Sequence, residues 1–220
     1  MTEKQNYMLL LHGQQPEWVP QYTFGPDPTG KPVATRSIGP HFLRRHFFEP
    51  GPSKDIWGVM NVPVPEAAGS KLPEPNNFIL KDIRKWRDVI KAPDISGIDW
   101  EAQAKCDLEK LNVSREDTAL SFNLNTSPFL NLVAFMGFSE GLCAMYEEPE
   151  EVRALLEYIS DFYLEVGEKC IDYYEPDFFN IADDTATSKN PFFSPEMYRM
   201  LIKPIHAKEA SLALKRGLPI

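Results

Sequence analysis

The stretch Asp177-Phe-Phe-Asn-Ile-Ala-Asp-Asp184, followed by Ser194-Pro-Glu-Met-Tyr198, Lys203-Pro204 and Gly217-Leu-Pro-Ile220, decides the reading of the fold. The run Asp177 to Ala182 is short and apolar, with Glu175-Pro176 before it and two acids after it, which suits a strand buried on both faces of a parallel sheet. Ser194 is placed to cap a helix, with Pro195 at its first position, Glu196 in its first turn, Lys215 and Arg216 in its last, and Gly217 just past its end. Pro204 is expected to kink that helix. Leu218 to Ile220 then opens another strand, so this segment alone spells the strand, helix, strand order of a parallel α/β fold.

Working back toward the N-terminus repeats the alternation. A helix starting at Pro149, with Glu147, Glu148, Glu150 and Glu151 at its positive end, carries the stripe Val152, Leu155, Leu156, Ile159, Phe162, Tyr163, Val166, Cys170 and Tyr173. Phe129 to Tyr146 is a helix broken near Gly137 and Gly141, and Thr118 to Leu124 is a strand ending in Asn123, Asn125, Thr126 and Ser127. Trp100 to Leu111 and Ile83 to Ile90 have helical spacing. Residues 25 to 80 are rich in turn signals around the apolar run Ile56 to Val64, which predicts a hairpin or an extended lid. Trp18 to Phe24, aromatic and β-branched, predicts the first strand despite Pro20, and Thr2 with Gln5 forms a capping box ahead of a short helix closed by Gly13.

The 220 residues hold 23 Lys plus Arg against 32 Asp plus Glu, a formal charge of −9. That balance lacks the basic footprint of a nucleic-acid or anionic-membrane binder and favours a small-molecule or protein partner. No apolar run is long enough for a membrane span, and Glu3 and Lys4 do not open a secretory signal. Cys106, Cys143 and Cys170 are too few and too far apart for a disulfide framework, which predicts a cytoplasmic protein with each thiol buried in a helix.

Several words of the sequence, in order, resemble the uroporphyrinogen decarboxylase (URO-D) superfamily. They are Lys4, Asn6 and Tyr7; Gly13, Pro16, Glu17, Trp18, Val19 and Pro20; Asp55, Trp57 and Gly58; Gly137, Phe138, Glu140, Pro149, Glu150 and Val152; and Asp183, Asp184, Ser194, Pro195, Glu196, Met197, Tyr198, Lys203 and Pro204. The resemblance implies a (β/α)8 TIM barrel. A whole barrel needs about 250 residues, so residues 1–220 read as one domain truncated at its C-terminal end. The Asp-x-Trp-Gly element is similar to the methyltransferase-like branch. That branch implies a cobamide-dependent enzyme moving a methyl group from a methylated substrate, such as a methoxylated aromatic, to a corrinoid protein. Zinc is implied by the same resemblance, on an H-x-C pair expected beyond Ile220, and no zinc ligand is expected within this chain. The alternatives are a uroporphyrinogen decarboxylase acting on a tetrapyrrole and a non-catalytic fragment; a homo-oligomer is compatible with each. The arginine-bearing element that holds substrate carboxylates in true decarboxylases has no counterpart in Gln21, Tyr22, Thr23, Phe24 and Gly25.

The candidate catalytic residues are Asp183 and Asp184, because ligands of parallel α/β folds gather beyond the carboxyl ends of strands. Adjacent side chains on extended backbone diverge, so one of the two should face the pocket. The other reading of the pair is a loop acid and a helix-capping acid. Asn123, Asn125 and Tyr22 are candidate substrate contacts by the same end-of-strand argument, with turn chemistry and packing as their rivals. The Trp57 region reads either as a lid over an aromatic ligand or as a plug in a long connection. His206, without a second ligand at a metal-binding offset, reads as a surface or capping residue.

Overall fold

The computed structural model describes residues 1–20, 27, 30–67, 69–124 and 126–220. Helix α1, Glu3–Leu11, starts with the expected capping box: the Thr2 hydroxyl accepts from Gln5 N–H while the Gln5 side chain takes the Thr2 N–H. Lys4 ties this helix across the sheet through an ion pair of 2.6 Å to Asp177.

The described part of the expected first strand, Trp18 to Pro20, is not a strand, and residues 21–24 lie outside the described residues. The side chain of the buried Asn6 takes up the hydrogen-bonding backbone there, accepting from Glu17 N–H at 2.8 Å and donating to the Trp18 carbonyl at 2.9 Å. Val19 meanwhile stays 92% exposed. Backbone groups engaged by a side chain are not offered to a sheet neighbour. The first strand is instead β1, Thr35–Ile38, in a stretch the sequence pattern left irregular.

Helix α2, His41–Phe48, leads into a small antiparallel sheet of β2, Ser53–Lys54, β3, Met60–Pro63, and β4, Lys71–Pro73, the expected hairpin region with one extra strand. Helices α3, Trp86–Val89, and α4, Trp100–Leu111, return the chain to β5, Ala119–Asn123. Next come α5, Pro128–Met136, α6, Phe138–Glu147, and the long α7, Pro149–Tyr174. The break between α5 and α6 falls at Gly137, whose φ of +90° suits a residue without a Cβ, and the two helices bend by 111°. Among the described residues no single helix is long and apolar enough to cross a membrane.

Strand β6, Phe178–Asn180, pairs parallel with β5, and β5 pairs parallel with β1, giving the order β1-β5-β6. This is the α/β architecture with a parallel sheet; among the described residues its strands do not close into a ring. Helix α8, Pro195–Met197, is capped by Ser194 as expected. The kink expected at Pro204 is a π turn over Tyr198–Ile202, in which Lys203 N–H donates to the Tyr198 carbonyl, before α9, Lys203–Lys215, resumes. Pro204 has no N–H to give and its ring would strike the carbonyl four residues back, so a widened turn relieves both problems. Beyond α9 the chain returns beside β6, where Phe179 N–H donates to the Pro219 carbonyl at 2.9 Å.

The core lies between the parallel sheet and α7, whose predicted stripe from Val152 to Cys170 is buried throughout. At its end the buried residue is Tyr174 rather than Tyr173, and the Tyr174 hydroxyl donates to Asp107 at 2.8 Å. The cysteine expectation holds for Cys170 alone; Cys106 and Cys143 are exposed on the outer faces of their helices.

Candidate functional site

A cavity of about 750 Å³ lies between the small antiparallel sheet, α2 and α5. The sequence Asp55-Ile56-Trp57-Gly58 builds its floor. Asp55 Oδ1 accepts from both Trp57 N–H and Val59 N–H at 2.9 Å, and Gly58 takes a φ of +87°. This turn swings Trp57 inward against Phe135 and Phe162, and its indole N–H donates to the Tyr163 hydroxyl at 3.1 Å. Trp57 therefore packs as the plug of the two readings of its region, and it also lines the cavity.

The lining is mostly apolar, with Leu43, Phe47, Ile56, Phe78, Leu130 and Phe138 among its members. Its two lining Lys and Arg residues differ in kind. Lys71 is buried, and its ammonium donates to the His46 carbonyl at 2.5 Å, the Glu49 carbonyl at 2.7 Å and the Ser53 hydroxyl at 2.6 Å, which occupies all three of its N–H groups. It anchors β4 to the carbonyl end of α2, where a cation is favoured. Arg44 sits on α2 with its charge uncommitted to any such cradle. Asp55 is the lone carboxylate of the lining, and burial pushes its pKa up against the opposing hydrogen bonds from Val59 and Trp57. The His46 ring is held below its ordinary pKa by burial, then by Lys71 and Arg44, with Glu49 opposing.

Asp183 is placed differently from the expectation of a pocket carboxylate. Its side chain is 0% exposed and caps α5 from outside that helix, accepting from Phe129 N–H at 3.1 Å and Leu130 N–H at 3.4 Å. Ser127, in the left-handed region, adds a bond from its hydroxyl to the Ala182 carbonyl at 3.0 Å. Asp183 is thus the helix-capping acid of the two readings, although the helix is α5 and not its own. Asp184 is exposed. Asn123 ends β5 in register with Asn180 of β6. Asn125 and Tyr22 lie outside the described residues.

His206 is not a plain surface residue. Its Nε2 lies 3.7 Å from Asp183, and its Nδ1 lies 3.4 Å from the Tyr198 hydroxyl. Three positions on along the same helix face, Glu209 is 0% exposed, with Thr126 near its carboxyl but no well-formed hydrogen bond to either oxygen. Burial pushes its pKa up to about 7; Thr126 and His206 oppose the rise and Asp183 adds to it. Glu209 was passed over in the sequence; the spacing His206-x-x-Glu209 is the signal that could have pointed to this cluster. His46 and Lys71 had no local signal, because their environment is assembled from three separate elements.

An α/β chain with a parallel sheet, a cavity roofed by a β insertion and an acid at the end of a strand defines the class. The family model for uroporphyrinogen decarboxylase (URO-D) matches residues 61–219, from β3 to the strand-like segment after α9, and the chain belongs to that family. No curated protein matches the chain significantly, and no solved structure does.

Proposed function

We propose that the chain serves methyl transfer, binding a methylated aromatic acid from which the methyl group passes to a corrinoid carried by a partner protein. The observation that carries this reading is the cavity: about 750 Å³, walled by aromatic side chains, with Lys71 committed to backbone and Arg44 as the lining Arg available to an anion. A ligand suited to it is a flat apolar ring bearing one negative charge. A tetrapyrrole with carboxylates on every ring would require several free cations, so the decarboxylase reading is less well supported. The full barrel remains part of this proposal, supported by the family match and by the Phe179–Pro219 bond that continues the parallel pairing.

Asp183 acts in this reading as a positioning residue, fixing the first turn of α5 and with it Leu130 on the cavity wall. Asp184 remains a proposed catalytic carboxylate, and Asn123, Asn125 and Tyr22 remain proposed substrate contacts. Zinc and the corrinoid enter through the family alone. Among the described residues no group of three His, Cys, Asp or Glu side chains is placed to hold a metal. The free thiols fit a reducing, cytoplasmic setting.

The test is to incubate the purified protein with 3-methoxybenzoate and free cob(I)alamin as methyl acceptor. Formation of 3-hydroxybenzoate and methylcobalamin in equal amounts is the expected result; carbon dioxide release from uroporphyrinogen with no demethylation supports the decarboxylase instead.

A further inference from the structure

Helix α9 docks along a narrow seam, and an acid sits in the middle of it. Its buried residues are Ile205, Glu209 and Ala213, four apart on one face, so a carboxyl occupies the centre of a stripe that burial would otherwise keep apolar. Leu212 packs over Gly167 of α7 and adds one more apolar contact. On the outer side, Lys208 pairs with Asp161 and Arg216 with Asp172. Both pairs are exposed, and such pairs hold a helix only weakly.

The surroundings of Glu209 leave its anion uncompensated. The residue is fully buried, Thr126 stands near its carboxyl, and neither oxygen has a well-formed hydrogen bond. The titratable groups acting on it are His206, from its own helix, and Asp183, from the segment after β6. Tyr198, in the π turn, reaches His206 Nδ1 at 3.4 Å, and on α7 Asp161 is exposed and taken up by Lys208. The Asp183 carboxylate caps α5 and lies 3.7 Å from His206 Nε2. One imidazole therefore faces two buried carboxyl groups. Ionising Glu209 would put a second negative charge where at most one positive charge is at hand. Burial is the main cause that pushes its pKa up to about 7, with Asp183 adding to the rise and Thr126 and His206 opposing it.

We propose that Glu209 is a pH-operated latch: as the neutral acid it lets α9 lie against α7, and as the anion it releases α9, with Leu218 to Ile220, while the rest of the fold stays closed. Release gives the carboxylate water at the loss of a thin apolar seam. Helix α7, with eleven buried residues against three on α9, stays with the core. The sign follows from linkage. Docking is at full strength below the ordinary glutamate pKa of 4.5 and weakens as pH rises through about 7.

The experiment is hydrogen–deuterium exchange of the full chain at pH 6 and pH 8.5, corrected for the intrinsic pH dependence of exchange, with peptides from α9 set beside peptides from α4. Protection of α9 should fall by about tenfold between the two conditions while α4 keeps its own. Glu209→Gln, uncharged throughout, should protect α9 equally at both. Glu209→Met supplies the same comparison where the Gln variant does not melt cooperatively. His206→Gln should leave the wild-type fall in place. Constant protection of α9 in the wild-type chain overturns the proposal, and so does an equal loss in α4, which would make the effect global. A fall that survives in Glu209→Gln overturns it as well; if it vanishes in His206→Gln instead, the imidazole is the group that titrates.

Discussion

The carboxylate of Asp183, just past β6, accepts the backbone N–H of Phe129 in the first turn of α5 at 3.1 Å, joining elements 54 residues apart in the chain. A helix leaves its first N–H groups without internal partners, and here the neighbouring strand's loop supplies the cap. Ser127, at the position where a capping side chain normally sits, makes no such bond and turns its hydroxyl to Ala182 instead.

Asp183→Ala should therefore destabilise the chain by about 1–2 kcal/mol, the usual effect of losing a cap. Asp184→Ala, at an exposed position, should stay within about 0.5 kcal/mol of the parent. Urea unfolding of both variants provides the comparison, and equal losses would show that Asp183 does not hold α5.

Glu209 should give the chain a pH-dependent stability. Below pH 4.5 it is protonated whether folded or unfolded. Between 4.5 and about 7 the unfolded chain releases its proton while the folded chain keeps it, so stability falls as pH rises through that window. The accumulated loss is about 3 kcal/mol at most. Glu209→Gln should melt like the parent near pH 4.5 and above it at pH 8, and a variant less stable than the parent at pH 8 would contradict the burial of this carboxyl as the cause.

Gly137→Ala should damage both fold and cavity. A Cβ at that position would stand 2.7 Å from the Phe78 ring, and its φ of +90° disfavours any side chain. Because Phe78 lines the cavity, the variant should lose more than about 1 kcal/mol of stability and also bind aromatic acids more weakly. Melting and titration together would separate these effects; unchanged binding would mean that Phe78 yields without moving the wall.

Lys71→Met should destabilise by about 1–3 kcal/mol, because it leaves the carbonyls of His46 and Glu49 and the Ser53 hydroxyl without their shared donor. Denaturant unfolding would reveal it, and a neutral result would mean that these groups find water once the ammonium is gone.

The alternation of strands and helices from Thr118 onward was legible because its signals are local: the stripe on α7, Pro149 at a helix start, and Ser194 before Pro195. The first strand was not, because Trp18 to Phe24 has strand-like side chains, and the contest for the described part of its backbone is decided by Asn6, more than ten residues away. Thr35–Ile38 is too short and too polar to announce itself, and it becomes a strand through pairing with β5. The same distinction governs the site. Asp183 was visible as the acid at the end of a strand, but its target, the open end of α5, exists only once β5 and β6 lie side by side. His46, Asp55 and Arg44 converge through the folding of α2 against the small sheet, which no spacing along the chain encodes.

The proposed occupant of the cavity under β2, β3 and β4 is a flat aromatic acid with a single negative charge. Equilibrium titration of the full chain with 3-methoxybenzoate, beside its uncharged methyl ester and coproporphyrin, tests it most directly. Saturable binding of the acid, weaker binding of the ester, and a loss of about tenfold in affinity for the acid in Arg44→Ala are expected. Saturable binding of coproporphyrin with none of 3-methoxybenzoate would contradict it.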